Sequence, residues 1–142
     1  MTLKLRDILA LTSGFEKANK TRGADAEGYK AEVSEPDRIW IEYDLALGDK
    51  SYLHAARNYL NKLEKRYFRV SEATGTGAIA SMLYIIAPSF ISYAPLPGTG
   101  YATYIGVALL LAASASFAIS GFYFDVKNTL DLMISSFRKN NK

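Results

Sequence analysis

No charged residue and no histidine occurs between Ala73 and Phe124, a run of 52 residues in a chain of 142. All 31 Lys, Arg, Asp and Glu residues lie before or after it. About 18–20 apolar residues suffice to span a bilayer, so the run is long enough for two crossings. Within hydrocarbon the backbone must satisfy its own hydrogen bonds, and two helices do so most economically. Whole-chain averages hide this pattern, since mean hydropathy is near zero and net charge is only +3. The run argues against a soluble enzyme and a free nucleic-acid-binding domain, and the lack of cysteine argues against a secreted disulfide scaffold. A helical hairpin buried in a soluble core is the competing fold, but a chain this small could not cover two such helices. The predicted fold class is an all-α membrane protein: a two-span transmembrane helical hairpin extended into the cytoplasm, with a small N-terminal helical cytoplasmic region.

One interruption divides the run. Pro95-Leu96-Pro97-Gly98-Thr99-Gly100 places two prolines and two glycines within six residues, which marks a turn. The predicted spans are residues 75–94 and 101–124, joined by a loop over 95–100. Arg57, Lys62, Lys65, Arg66 and Arg69 precede the first span, while Lys127, Arg138, Lys139 and Lys142 follow the second. The loop carries no charge. The positive-inside rule then puts both termini in the cytoplasm, or on the matrix or stromal side of an organelle. Tyr93, Tyr101 and Tyr104 would form an outer aromatic belt, and Tyr67, Phe68, Phe122, Tyr123 and Phe124 an inner one.

Residues 1–48 form the expected cytoplasmic N-terminal region. Leu3, Leu5, Ile8, Leu9 and Phe15 fit a short amphipathic helix closing near Gly14, either packed on the chain or lying in the membrane plane. Lys4, Arg6 and Asp7, with an apolar run of only Ile8–Leu11, do not make a cleavable leader. Residues 16–35 are polar and read as a linker. A second helix is expected over Pro36–Leu47, capped by Ser34 and stopped at Gly48, with Ile39, Trp40, Tyr43 and Leu47 as its apolar face.

From Asp49, a good N-cap, no Gly or Pro interrupts the chain until Gly75. Leu53, Ala56, Leu60, Leu63, Tyr67 and Val70 are spaced 3, 4, 3, 4, 3, the spacing of a coiled-coil seam. Residues 49–74 thus form a juxtamembrane helix that runs into the first span, about 45 residues in all, with Gly75 and Gly77 as places to bend. After the second span, Val126, Leu130, Met133 and Phe137 repeat the pattern over residues 125–142. The two extensions would pack antiparallel, or each seam would face a neighbouring subunit.

Within the spans, Ala108, Ala112, Ser116 and Ser120 recur every four residues, and Ala73, Gly77 and Ser81 form a shorter row. Small residues in such rows let helices approach closely where no hydrophobic drive exists. The rows would either face each other within the hairpin or meet another protein or another copy. Pro88 would kink the first span or free a carbonyl, with Ser89 and Ser92 as replacement donors.

Absences narrow the chemistry. Embedded acids, bases and histidines mark proton relays, ion pathways and haem sites, and the spans have none. Without cysteine there is no iron–sulfur or thiolate metal site, and a lone His54 near Asp49 does not make a zinc site or a catalytic triad. The Gly-Thr-Gly triplets at 75–77 and 98–100 lack the strand and lysine of a phosphate loop. No catalytic residue, cofactor or metal is expected. Lys62, Lys65, Arg66 and Arg69, interleaved with aromatics, are assigned to anionic lipid head groups rather than to nucleic acid.

The function expected from this set is non-catalytic: an accessory subunit packing against other integral membrane subunits through the small-residue face. The alternative is a homo-oligomer of copies of the chain that forms a pore or perturbs the membrane, with Ser114, Ser116 and Ser120 lining a lumen. The basic-aromatic helix Arg57–Arg69 running into two spans resembles the layout of phage holins and of two-span SLATT-domain effectors of bacterial nucleotide-signalling defence systems. That likeness covers about residues 50–142 and implies membrane perturbation by a self-assembled form. A third possibility is a scaffold that recruits a soluble partner through residues 1–48.

Overall fold

A computed structural model of the chain describes residues 4–22, 35–91 and 96–139. Helix accounts for 95% of these residues and no strand occurs among them. The elements are α1 (Leu5–Arg22), α2 (Glu35–Ala46), a 3-10 turn (Gly48–Lys50), α3 (Tyr52–Ile91) and α4 (Thr99–Lys139). Two of them, α3 and α4, are long and apolar enough to cross a membrane. The expected cap Ser34, residues 23–34 of the linker, residues 92–95 with Ser92 and Tyr93, and Lys142 lie outside the described residues, as do the side chains of Ser89 and Lys139.

The chain divides into two compact units, Met1–Lys62 with Tyr123–Lys142, and Leu63–Phe122; α3 and α4 contribute to both. In the first unit, Ile8 and Phe15 of α1, Ile41 and Leu45 of α2, Leu53, Ala56 and Leu60 of α3, and Val126, Leu130, Met133, Ile134 and Phe137 of α4 form one buried cluster. Each fully buried large apolar side chain contributes about 1.5–3 kcal/mol. The Arg57 guanidinium meets the Asp131 carboxylate at 2.6 Å, and Arg138 meets His54 Nε2 at 3.0 Å, joining α3 to α4 outside the cluster. Guanidinium only donates, so Nε2 is the acceptor in this bond.

Several local expectations need correction. α1 does not close at Gly14 but continues to Arg22, taking in residues 16–22 of the expected linker. A helical glycine costs only about 1 kcal/mol, and burial of Phe15 one residue later more than offsets it. In α2 the inward face is Ile41, Asp44 and Leu45, whereas Ile39, Trp40, Tyr43 and Leu47 are exposed. The cap of α3 is also not Asp49, which lies exposed in the 3-10 turn.

Asp44 explains both of the last two. Its carboxylate is 5% exposed and accepts from the Ser51 hydroxyl at 2.5 Å, the Tyr52 amide at 2.7 Å and the Leu53 amide at 2.9 Å. Ser51 Oγ in turn accepts from the His54 amide at 3.3 Å, and the Ala55 amide makes the first ordinary helical bond, to the Ser51 carbonyl. The amides that would be orphaned at the start of α3 are therefore all satisfied. A carboxylate at a helix N-terminus is also favoured by the helix dipole. The chain turns back to allow this through Gly48, whose φ of +58° is left-handed.

Beside this clasp, Trp40 meets the Tyr52 ring edge-on at 5.9 Å. Burial, then the Asp7 carboxylate and to a lesser degree Asp44, push the Tyr52 phenol above its ordinary value of about 10, against a lowering hydrogen bond to the Lys4 backbone. The folded chain holds this proton more tightly than the unfolded one. Its contribution to stability is thus complete below about pH 10 and is lost as pH rises through the higher folded value. Alkaline unfolding followed by circular dichroism is expected to be less pH-dependent in Tyr52→Phe; an unchanged profile would remove Tyr52 as a contributor.

Candidate functional site

The unit Leu63–Phe122 exposes many large apolar side chains. It contains the upper part of α3 and the first part of α4, packed as an antiparallel pair. Four contacts set the register. The Ser120 hydroxyl donates to the Glu64 carbonyl at 3.2 Å, and the Ser71 hydroxyl to the Ala113 carbonyl at 3.0 Å. Gly77 lies against Leu109, and Gly106 against Ser81. On α4 the row meeting α3 is Gly106, Leu109, Ala113, Ser116 and Ser120, spaced 3, 4, 3, 4.

The small-residue rows are only partly used by this pair. Gly77 and Ser81 are part-buried within it and Ala73 is exposed; Ser116 and Ser120 are buried, but Ala108 and Ala112 are exposed. A repeat of four drifts around a helix of 3.6 residues per turn, so the row cannot keep to one partner. The same geometry corrects the seam on α3. Leu53, Ala56 and Leu60 are buried and Leu63 and Tyr67 part-buried, but Val70 is 43% exposed and Ser71 takes its place. Val126, Leu130, Met133 and Phe137 are all buried.

The two glycines at the contact differ in how much room a methyl group would have. A Cβ on Gly106 would sit 3.1 Å from Ser81 Cβ, an atom fixed to the backbone. A Cβ on Gly77 would sit 2.9 Å from Leu109 Cδ1, the far end of a side chain that can change rotamer. Gly106→Ala is therefore expected to destabilise the pair by about 1–3 kcal/mol, and Gly77→Ala by less. Thermal unfolding of both variants in one detergent checks this; the reverse order would contradict the packing.

Helix α3 passes through Gly75 and Gly77 without a break and through the buried Pro88 to Ile91. The first Gly-Thr-Gly triplet is thus helical. The second forms the start of α4, with Gly98 at φ +83° and the Thr99 hydroxyl donating to the Leu96 carbonyl. α4 begins two residues before the expected span. The Tyr84 hydroxyl donates to the Pro97 carbonyl at 2.9 Å, tying the turn to α3.

Outside the contact the pair presents large apolar side chains to its surroundings, among them Ile79, Leu83, Phe90, Ile105 and Leu111. Four other hydroxyls of the pair bond the backbone of their own helix: Thr74 bonds Val70, Thr76 bonds Glu72, Ser81 bonds Gly77, and Ser114 bonds Leu110. Ser114 is exposed while Ser116 and Ser120 are buried, so the three serines do not share a lumen-facing side. Lys62, Lys65, Arg66 and Arg69 are all exposed, and none forms an ion pair with a described residue. Their 3, 1, 3 spacing puts them on the side of α3 turned away from α4.

Among the described residues no group of three His, Asp or Glu side chains could hold a metal ion. Sequence reasoning missed Asp44, Ser71 and Gly106. For Asp44 a signal existed, an acidic residue at the end of one helix followed closely by Gly48 and Ser51. No protein-family model matches the chain, and neither any curated protein nor any solved structure matches it.

Proposed function

We propose that the chain is a small, non-catalytic integral membrane protein that spans the bilayer twice and acts as an accessory subunit of a larger membrane complex. The observation that carries the proposal is the outer surface of the Leu63–Phe122 pair: large apolar side chains face outward, and the Thr74, Ser81 and Ser114 hydroxyls bond the backbone of their own helices. Water is a poor solvent for such a surface and lipid or another apolar helix a good one. The charge-free Leu96–Gly98 turn lies on the non-cytoplasmic side and both termini in the cytoplasm, as the flanking cations require. Lys62, Lys65, Arg66 and Arg69 then meet anionic head groups.

Ala108 and Ala112, left exposed by the hairpin, supply a face on which another helix can approach closely. Purification from native membranes in mild detergent tests this: a larger integral partner should accompany the chain at fixed stoichiometry, and the purified chain alone should leave planar bilayers non-conducting. A chain that purifies without partners and conducts would overturn the subunit reading in favour of a self-assembled pore.

A further inference from the structure

We propose that Lys65, Arg66 and Arg69 hold the phosphate of one anionic phospholipid, as a defined site rather than part of a diffuse cationic belt; the inference deepens the membrane-spanning reading above and rests on it. The register of the helix pair sets the level of these side chains. Glu64 is level with Ser120 and Ser71 with Ala113, so Arg66 is level with Ala118 and Arg69 with Ala115. The turn over residues 96–98 is not helical and belongs outside the hydrocarbon, so α4 enters it at Thr99. A core of about 30 Å takes about 20 residues at 1.5 Å each, which brings α4 to the cytoplasmic boundary near Ala118. The three cations therefore lie within one helical turn of that boundary, where lipid phosphates begin. A typical tilt of about 20° shifts helices 8–10 Å apart by only about 3 Å, and leaves them there.

Positions i, i+1 and i+4 share one side of a helix and span about 6 Å of its axis, so three long side chains there can close on one group. All three are exposed, and none forms an ion pair with a described residue. A cation left unpaired at this boundary is costly. Phosphate is the matching anion: a guanidinium presents parallel donors to two of its oxygens, and the Lys65 ammonium adds a further donor.

The level selects the source of that phosphate. A soluble phosphate compound would have to leave water to reach Arg69, whereas a lipid phosphate is already there. Lys65 and Arg66 lie on the cytoplasmic side of Arg69 and repel a head-group ammonium, so the lipid is one without that group. Further into the bilayer, Ala73, Thr76 and Ala80 continue the same face of α3 at spacings of 4, 3 and 4 from Arg69, and all are exposed. The Thr76 hydroxyl donates to the Glu72 carbonyl at 2.8 Å, so no free hydroxyl interrupts this track and an acyl chain can lie along it.

Native mass spectrometry of the full chain in mild detergent tests the site, with phosphatidylglycerol and phosphatidylcholine as probes. Phosphatidylglycerol is expected to saturate at one molecule per chain and to bind at least about fivefold more tightly than phosphatidylcholine. Arg69→Gln should weaken it about fivefold, and Arg69→Lys about threefold, because an ammonium keeps the charge but loses the paired donors. Lys50→Gln, which removes an exposed cation of the 3-10 turn, should change nothing. Glu72→Gln should tighten binding, since its carboxylate stands three residues from Arg69 on a neighbouring helix position. A diffuse belt responds to charge alone, so Arg69→Lys binding like the native chain, or uptake without saturation, would overturn the site. Displacement of the lipid by millimolar inorganic phosphate would assign the cations to a soluble compound and overturn it as well. If carbonate washing extracts the chain from native membranes, the membrane reading and this inference fail together; if the chain stays and lipid binds without saturation, this inference fails alone.

Discussion

Replacing Asp44 by alanine is expected to destabilise the unit Met1–Lys62 with Tyr123–Lys142 by about 3–5 kcal/mol, from one buried and one part-buried amide left unsatisfied at about 1–3 kcal/mol each and a lost bond to Ser51. Asp44 is almost fully buried, and its two oxygens serve the Ser51 hydroxyl and the Tyr52 and Leu53 amides. Water cannot replace it at those sites without opening the joint between α2 and α3. Asp44→Asn retains one acceptor oxygen but turns an NH2 group toward donors, so an intermediate loss is expected. Trp40 is the only tryptophan and sits edge-on to Tyr52 beside the clasp, so its fluorescence follows the transition directly. An unfolding midpoint for Asp44→Ala equal to the native one would show that the clasp does not hold α2 in place.

Phe137→Ala is expected to have an effect of similar size, about 3–5 kcal/mol for deleting a fully buried aromatic side chain. The residue lies five before the C-terminus and is 0% exposed, in the same cluster as Ile8, Ile41 and Leu53. Its loss opens a cavity bordered by side chains from several helices, which cannot all collapse inward. Phe137→Leu should recover most of the stability. The neighbouring Ser135, exposed and bonded only to the Leu132 carbonyl, serves as a control whose replacement by alanine changes little. Circular dichroism melts of the three variants separate a structural C-terminal end from a dispensable one.

How much of this fold is legible in the sequence depends on the range of the signal. The charge-free run and the 3–4 spacing on α3 and α4 are local patterns, and they lead to two long helices and to the inward side chains Leu53, Leu60, Leu130 and Phe137. Phase is harder to hold over 40 residues. A strict heptad drifts against 3.6 residues per turn, so the seam passes from Tyr67 to Ser71 and leaves Val70 outside. The face of α2 is not legible from hydrophobicity at all. Ile39, Trp40, Tyr43 and Leu47 make the more apolar side, yet α2 turns Asp44 inward because α3 offers it three donors. Such a pairing of a carboxylate with a helix start several residues later is a tertiary event. In the candidate site, the small residues of the spans stand out in the sequence, but which of them meet inside the hairpin follows only from the register of α3 on α4.

The central claim, two crossings with both ends on the cytoplasmic side, is tested most directly by labelling single cysteines with a membrane-impermeant maleimide in sealed cells or organelles. Leu96→Cys sits in the turn, and Asp49→Cys and Ser135→Cys sit on the two extensions; all three positions are exposed. Leu96→Cys should be labelled without breaking the membrane, and the other two only after it is broken. Labelling of all three in intact samples, or of Asp49→Cys and Ser135→Cys but not Leu96→Cys, would contradict the claim.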